Sequence, residues 1–478
     1  MRISSADSGS SGCGVPAAGI RACSAIGRLA ATVAATKRGG VDWSPDGGAA
    51  PRPGCSFPAV DALLSLFPPG SDADAGGMLR VGGCRADDLA AEFGTPVLVV
   101  AEDALRARAR EYREELAARW PRSRVVFASK AFPCTAVQRV MVEEGLGLDV
   151  AGGGEIVTAL AAGADPALLV LHGNAKSDEE IAMAAEHGIG LVVVDNADDV
   201  DRLEATVPAG RAQDVLVRVI PGVEAETHAS VLTGHEGSKF GLAPAAAVEL
   251  IARIERSPRL RMRGLHAHVG SQILDVEPFA RSVAPLAALG EFPVYDLGGG
   301  LGARYTYDDR PPSVPEYLDA LIGAAREHLP AEAEVIVEPG RSMVAAAAAT
   351  IYHVVTVKRG AVTFVAVDGG MGDNLEVALF GQRFEAAIAD RLEAPDGELV
   401  TLVGRHCESG DVLVDGVRLD APRVGDLVAV PATGAYCHTM ANNYNGNRRI
   451  PVVFASGGAA RLVVRRETWD DLLARDVG

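Results

Sequence analysis

A lysine stands at the end of a strongly apolar run, in the segment VVFASKAF that begins at Val125. A lysine that follows a buried strand has little water around its ammonium group, so it either extends to solvent or pairs with an acid. Alternatively, burial lowers its pKa and makes the amine a better nucleophile, which can bind an aldehyde cofactor. Lys130 is therefore the first candidate for a chemically active side chain.

Two later segments could bind a phosphate group and a cofactor ring. The segment DLGGGLG at 296–302 offers backbone N–H groups without side chains in the way, although a tight turn after a strand would use the same residues. The segment EPGR at 338–341 places an acid beside an arginine. These two form either a surface ion pair or a site in which Glu338 keeps the nitrogen of a pyridine ring protonated.

Two histidines alternate in the segment GLHAHVGSQ at 264–272. Side chains of a strand alternate between its faces, so His266 and His268 lie on the same face. They could be zinc ligands, but no carboxylate or third histidine stands at a matching spacing in the sequence. Stacking of a histidine ring on a flat cofactor is the use that we favour.

The segment RHCESGD at 405–411 combines a thiol with two acids. A single cysteine is usually a small buried hydrophobic residue, but a run this polar makes Cys407 a candidate proton donor, with Glu408 beside it. The segment GAYCHTMANNYN at 434–445 offers Tyr436 and Tyr444 in a polar loop that begins with glycine.

Eight short apolar runs alternate with amphipathic segments and predict a parallel (β/α)8 barrel. An open doubly wound sheet could contain the same runs, but polar residues end nearly every run, and a barrel would bring them to one mouth. The polar residues are Lys130, Asp149, His172, Asn174, Asp195, Arg218, His268, the glycines at 298–300 and Glu338. The runs begin at Val125, Leu146, Leu168, Leu191, Val215, Gly264, Phe292 and Glu334.

The rest of the chain suggests a second folded unit and a tail. Beyond Gly340, strand-like runs follow one another with short turns and little helix, which predicts an all-β domain. We expect a disordered tail at 1–56, a lead-in segment at 57–100 that packs with the β-domain, the barrel at 101–340 and the β-domain at 341–478.

The composition excludes several classes of partner and site. The 478 residues carry a formal net charge of -18, which argues against nucleic acid or an anionic membrane as a partner. The longest apolar runs fall short of the roughly 20 residues that span a bilayer. Seven cysteines stand at scattered positions without disulfide or zinc-like spacing, which favours a reducing cytoplasm.

In this order and spacing, the motifs resemble those of the diaminopimelate decarboxylases, which belong to the alanine-racemase-like (fold-type III) pyridoxal-phosphate decarboxylases. The resemblance extends from about Leu63 to the C-terminus, and the segments CESGD and GAYC favour this family over its racemase relatives. It implies decarboxylation of meso-2,6-diaminopimelate to L-lysine and CO2, with pyridoxal 5'-phosphate as the cofactor and no metal. It also implies a homodimer with shared active sites.

The resemblance also implies a role for each motif residue. Lys130 would carry the cofactor, His268 would stack on its ring and Glu338 would pair with the ring nitrogen. Cys407 would return a proton to the substrate, and Glu408 would bind the distal amino group, both from a second subunit. Substrate contacts would come from Arg341, Tyr436 and Glu408. The cofactor's phosphate and surroundings would be bound by Gly299, Gly300, Pro339, Gly340, Arg341 and Tyr436.

One segment departs from the family pattern. After DGGM, Glu376 and Phe380 stand where relatives carry an arginine and a tyrosine that contact the distal carboxylate of the substrate. Two carboxylates about 4 Å apart repel each other by about 4 kcal/mol at an effective dielectric constant of 20. Either Glu376 points away, or Arg383 or the pair Arg448 and Arg449 supplies the missing cation.

Three alternative functions follow. If Glu376 and Phe380 line the substrate site, the substrate is a diamino acid without the distal carboxylate, as in D-lysine or D-ornithine. A racemase would need a second catalytic base on the β-domain, where this chain has the acidic run around Cys407. A cofactor-handling barrel protein would lack the second domain.

Overall fold

A computed structural model describes residues 60–223, 238–392 and 397–478, with the side chains of 60 and 61 left out. The predicted tail at 1–56 lies outside the described residues. The described chain begins with a short helix and a small three-stranded antiparallel sheet, followed by a second helix and one longer strand. These elements are α1 (Val60–Leu64), β1 (Asp72–Ala73), β2 (Leu79–Val81), β3 (Cys84–Arg85), α2 (Ala86–Phe93) and β4 (Val97–Ala101).

Eight parallel strands then close into a barrel, which confirms the predicted (β/α)8 fold. Each strand pairs with the next along the chain, and the last pairs with the first through Val335–Val337 and Ser123–Val125. Each of the eight predicted apolar runs overlaps one of these strands. They are β5 (Ser123–Ala128), β6 (Gly147–Val150), β7 (Leu169–Leu171), β8 (Leu191–Val194), β9 (Gln213–Arg218), β10 (Leu260–His266), β11 (Val294–Asp296) and β12 (Glu334–Val337).

The helices around the barrel cover its strands from outside. Each helix therefore buries one apolar face against the strands and exposes its other face to solvent. All residues of β6, β7 and β8 are buried. Ser177 forms a capping box with Glu180 and fixes the start of the helix after β7. The helices are α3 (Glu102–Arg119), α4 (Thr135–Glu143), α5 (Gly153–Ala161), α6 (Asp178–His187), α7 (Ala197–Thr206), α8 (Pro244–Glu255), α9 (Glu277–Arg281), α10 (Val283–Ala287) and α11 (Val314–His328).

A nine-stranded mixed sheet follows the barrel and forms the second domain. Eight of its strands come after the barrel, namely β13 (Ala348–Lys358), β14 (Phe364–Val367), β15 (Ala387–Ile388), β16 (Glu398–Val403), β17 (Val412–Leu419), β18 (Leu427–Pro431), β19 (Val452–Ser456) and β20 (Ala459–Val464). Six of them overlap the strand-like runs noted beyond Gly340, such as TFVAVDGG at 363–370, whereas β15 and β17 do not. Short helices accompany them at α12 (Arg341–Val344), α13 (Glu376–Phe380) and α14 (Trp469–Leu473).

The strand that precedes the barrel belongs to this second sheet. β4 pairs antiparallel with β13 on one side and parallel with β19 on the other. Leu79 and Leu89 of the lead-in segment share one apolar core with Val99, Ile351 and Val453 of the sheet.

In the part of the chain that is described, none of the helices has the length and apolar character needed to cross a membrane.

Candidate active site

Lys130 lies in a single helical turn, Ser129–Ala131, directly after β5 at the mouth of the barrel. Its side chain is 46% exposed, and its Nζ lies 3.9 Å from Oδ2 of the buried Asp149 at the end of β6. Burial lowers the pKa of Lys130, but the nearby Asp149, Tyr436 and Glu338 together outweigh this effect, and the net pKa is raised. Burial thus acts in the direction expected from the sequence, and the neighbouring charges reverse the net shift.

A buried cluster of ionisable groups surrounds Glu338, which follows β12. His172 Nε2 lies 2.6 Å from Glu338 Oε1, and His266 Nε2 lies 3.2 Å from Glu338 Oε2. The two histidine rings meet edge to face with their centroids 4.9 Å apart. Asp296, at the end of β11, is fully buried beside them and accepts a hydrogen bond from the Gly298 N–H at 3.0 Å.

The environment of this cluster sets its charges. Burial alone would raise the pKa of Glu338, but His172 and His266 reverse the effect and hold that pKa well below the ordinary value. Burial lowers the pKa of His266 to about 3. Burial also raises the pKa of Asp296 well above the ordinary aspartate value, and the nearby Glu338 adds to that rise. Glu338 is therefore an anion held by histidines within a site that excludes water.

The same cluster corrects an argument made from sequence spacing. His266 does have acids and another histidine close by, because three other strand ends supply His172, Asp296 and Glu338. Their potential ligand atoms all lie within 4.8 Å of one another, an arrangement compatible with a metal ion. Sequence spacing could not indicate this set, because its members come from β7, β10, β11 and β12.

The glycine triplet lies against the ends of β10 and β12. A side chain at Gly299 would overlap the backbone oxygen of Glu338, so only glycine fits there. Gly300 has a positive φ of 123°, and the Gly299 N–H donates to His268 Nδ1 at 3.2 Å. Burial lowers the pKa of His268 well below its ordinary value, so its ring is neutral. The triplet thus forms a side-chain-free rim beside a neutral histidine ring.

The EPGR segment and the loop at 434–445 close around Lys130. The Ala128 N–H donates to the Pro339 carbonyl at 3.2 Å, and Gly340 packs on Ala128. From the second domain, the Tyr436 N–H donates to the Ala131 carbonyl at 2.9 Å. Residues of both domains therefore fix the turn that carries Lys130.

Arg341 and Glu376 form a buried ion pair. Arg341 Nη1 lies 2.6 Å from Glu376 Oε2, and the relative exposures of the two side chains are 6% and 1%. The same guanidinium donates to the Tyr305 hydroxyl at 2.6 Å and to the Ser271 hydroxyl at 3.2 Å. It also lies 4.6 Å above the ring of Tyr436. Glu376 therefore points at Arg341 rather than away from the site.

The other cations considered for the distal carboxylate are placed elsewhere. Arg383 lies 4.0 Å from Asp308 in an exposed pair. Arg448 stacks over the ring of Trp469 at 4.3 Å, and Arg449 pairs with Glu467 at 2.9 Å. Phe380 is the last residue of α13, the helix that Glu376 begins.

Cys407 and Glu408 lie on an exposed loop of the second domain. The Cys407 N–H donates to Asn445 Oδ1 at 2.8 Å, and the Tyr444 hydroxyl contacts Glu408 Oε2 at 3.4 Å. In the described residues, no hydrogen bond or ion pair joins Cys407 or Glu408 to the cluster around Lys130. The chain folded alone thus presents these two side chains outward.

Several site residues received no role from the sequence. Arg218 is buried at the mouth, with its Nε 3.9 Å from Asp195 Oδ1 and its guanidinium 4.5 Å above the ring of Phe240. In the sequence, the position of Arg218 at the end of an apolar run was the feature that indicated a place at the mouth of the barrel. Tyr305 and Ser271 lie in loops after β11 and β10, and no feature of the sequence distinguishes them.

Comparisons with known proteins agree with this geometry. The pyridoxal-binding domain of the pyridoxal-dependent decarboxylases matches residues 102–345. A diaminopimelate decarboxylase of Actinosynnema pretiosum subsp. auranticum is 44% identical over 440 residues, which cover 88% of this chain and 97% of the relative. The Bacillus subtilis diaminopimelate decarboxylase is 41% identical over 419 residues, covering 84% of this chain and 95% of the relative.

Solved structures show the same likeness. The diaminopimelate decarboxylase of M. jannaschii in complex with L-lysine superposes with a TM-score of 0.81 and 30% identity. The superposition covers 86% of this chain and 99% of that one. The chain therefore belongs to the diaminopimelate decarboxylase family of pyridoxal-phosphate-dependent decarboxylases.

Proposed function

We propose that this protein decarboxylates meso-2,6-diaminopimelate to L-lysine and CO2, a reaction of lysine biosynthesis. The observation that carries the proposal is the mouth of the barrel, where the half-exposed Lys130 faces a buried, histidine-held Glu338 and a rim of glycines. The relatives with 41–44% identity are named for this reaction, and they support the choice of substrate.

The residues at the mouth fit pyridoxal 5'-phosphate by their chemistry. Lys130 offers an amine that is partly exposed to the mouth, and the neutral His268 offers a ring for stacking. The phosphate would lie at the backbone N–H groups of Gly299 and Gly300, where the chain leaves no room for side chains. Pro339, Gly340, Arg341 and Tyr436 would complete the cofactor's surroundings. When bound, the cofactor supplies a ring that accepts the electron pair left on the substrate as CO2 departs.

The chain's own residues would then control protons and charge. Glu338, kept ionised by His172 and His266, would hold a proton on the ring nitrogen that it faces. Asp149 lies where it can accept the proton of the Lys130 ammonium. The burial of Asp149, His172, His266 and Glu338 keeps water away from these side chains, which strengthens the electrostatic contacts among them.

We further propose that Cys407 Sγ delivers the proton that replaces the carboxylate and that Glu408 binds the distal amino group. Both side chains point outward from their own chain, so they would act in the barrel of a second subunit. This arrangement supports a homodimer with shared active sites. We also propose a cytoplasmic location, which suits the free cysteines Cys84, Cys134, Cys407 and Cys437 among the described residues.

The Arg341–Glu376 pair favours a second candidate, a substrate without a distal carboxylate. Glu376 already neutralises the buried arginine and would repel an incoming carboxylate. The named relatives do not favour this candidate. In the first candidate, the distal carboxylate competes with Glu376 for Arg341 or shares Arg341 with Tyr305 and Ser271.

The decisive experiment measures CO2 release by the purified enzyme loaded with pyridoxal phosphate. The substrates are meso-diaminopimelate, D-lysine and D-ornithine, and the Lys130→Ala variant gives the background rate. We expect turnover of meso-diaminopimelate and little release from the other two. Turnover of D-lysine or D-ornithine alone would contradict the proposal and would identify Glu376 as the residue that rejects the carboxylate.

A further inference from the structure

A second polar cavity lies in the β-domain, beside the loop that carries Cys407. Its volume is about 200 Å³. The charged and titratable residues that line it are Asp368, Asp373, Arg405, His406, Arg448 and Arg466. None of them belongs to the cluster around Lys130, so the cavity is a separate place in the molecule.

The three arginines of this cavity have no carboxylate partner among the described residues. Arg466 Nη2 donates to the Pro96 carbonyl at 2.7 Å, and Arg448 stacks on Trp469. Burial and the positive charge of Arg448 lower the pKa of Arg466, and the smaller opposing effects of Asp368 and Asp373 do not reverse this shift. Two guanidinium groups that repel each other are stabilised when an anion binds between them.

The two acids that line the cavity offset only part of the charge of its three arginines. Asp368 already accepts hydrogen bonds from the Thr95 hydroxyl at 2.6 Å and the His353 N–H at 2.9 Å. Burial raises the pKa of Asp373 to about 7, so a good part of it is uncharged at neutral pH. In a chain with a net charge of -18, the lining of this cavity is locally positive.

His406 adds a buried polar atom that needs a partner. Its Nδ1 lies 2.9 Å from Asp411 Oδ2, and its side chain is only 1% exposed. Its Nε2 has no hydrogen-bond partner within the described residues. Phosphate carries both hydroxyl donors and oxygen acceptors, so it could pair with Nε2 in either protonation state of the ring.

We propose that this cavity binds a phosphate-like oxyanion through Arg448, Arg466 and His406, and that binding orders the adjacent Cys407 loop. His406 directly precedes Cys407, whose N–H is held by Asn445. A ligand on His406 would therefore restrict the loop from its other side. Both free phosphate and a small phosphate monoester have the required chemistry and fit the volume. This inference does not depend on the identity of the amino-acid substrate.

Calorimetric titration of the pyridoxal-phosphate-loaded enzyme with inorganic phosphate, at constant ionic strength, tests the proposal. We expect saturable binding that Arg448→Gln or Arg466→Gln weakens by about tenfold or more, the typical effect of losing one charge-assisted hydrogen bond. Arg465→Gln is the matched control, because Arg465 neighbours Arg466 but pairs with Asp471 at 2.8 Å. This variant should bind phosphate as the wild type does.

Two further measurements complete the test. Titration with glycerol 3-phosphate distinguishes the two candidate ligands, free phosphate and a phosphate monoester. Tighter binding than that of inorganic phosphate indicates a phosphorylated metabolite, and weaker binding indicates free phosphate. Hydrogen exchange of residues 405–411 should slow when phosphate binds to the wild type and not in Arg466→Gln. No saturable binding to the wild type, or wild-type affinity for phosphate in both arginine variants, would refute the site. Unchanged hydrogen exchange would refute the ordering of the loop.

Discussion

At the scale of single residues, the most unusual feature is the carboxylate that the chain itself places on Arg341. A buried ion pair of this kind gains little net stability, because both charges lose their hydration. Its effect is instead on what else Arg341 can bind. The guanidinium already has Glu376, Tyr305 and Ser271 as partners, so a substrate carboxylate must displace or share them.

Replacing Glu376 with glutamine should release the positive charge of Arg341. We expect the KM for meso-diaminopimelate to fall on the order of tenfold, while the KM for D-lysine stays unchanged or rises. Steady-state CO2 release with both substrates measures this difference. Glu398→Gln removes an acid that pairs with Arg359 on the surface and serves as the control. An unchanged KM for meso-diaminopimelate in Glu376→Gln would show that Arg341 does not contact the distal carboxylate.

His438 should make the folded protein sensitive to acid. Burial lowers its pKa to about 4, so the unfolded chain binds this proton more readily than the folded chain. Its contribution to stability is complete above about pH 6.5 and is lost as the pH falls towards 4, by at most about 1.4 kcal/mol per pH unit. Urea unfolding at several pH values gives the free energy of unfolding as a function of pH. As the pH falls, this free energy should decrease less steeply in His438→Gln than in the wild type. His328 is exposed, so the unfolding free energy of His328→Gln should depend on pH as it does in the wild type.

At the scale of elements, the end of β12 and the glycine triplet form one close-packed unit. Gly299→Ala would force the triplet away from the Glu338 carbonyl and from the phosphate that we place there. We expect the dissociation constant for pyridoxal phosphate to rise by about a hundredfold, as two or three charge-assisted hydrogen bonds are misaligned. Absorbance titration of the apoenzyme with the cofactor measures it.

The control for this prediction is Gly323→Ala. Gly323 lies within α11 and has open space where a Cβ would be placed. Alanine in a helix is favoured over glycine by about 0.5–1 kcal/mol, so this variant should bind the cofactor normally and unfold at a slightly higher temperature. Equal cofactor affinity in both variants would place the phosphate away from the triplet.

The elements also show what the sequence can and cannot predict. The barrel strands are predictable because parallel strands buried on both faces need uninterrupted apolar runs, and LVVV at 191–194 is such a run. β17 was not predicted, because its charged residues Asp415 and Arg418 interrupt the apolar pattern on an exposed face. The Arg341–Glu376 pair was not predictable either. Its members lie 35 residues apart, and no sequence pattern links the turn after β12 to the helix that Glu376 begins.

At the scale of the whole molecule, the outward position of Cys407 leads to a mixing experiment. Lys130→Ala and Cys407→Ala should each be inactive alone. If the sites are shared between two subunits, dissociating and reassembling the two variants together produces hybrids with one intact site. Random pairing makes half of the dimers hybrids, and each hybrid has one intact site out of two. About a quarter of the wild-type activity should therefore return. A mixture that stays inactive would place both residues in the same chain's site.

The position of β4 has a consequence for how the chain can be divided. The strand lies between β13 and β19, yet the entire barrel separates it from both along the chain. The barrel is thus inserted between two neighbouring strands of one sheet, β4 and β13. Because these two strands are paired, the chain enters and leaves the barrel at adjacent points. A fragment cut after residue 340 would retain β4 without either neighbour and expose a fully apolar edge, which invites aggregation. A chimaera with another barrel would therefore have to exchange the inner segment from Glu102 to the start of β13 and leave both flanks in place.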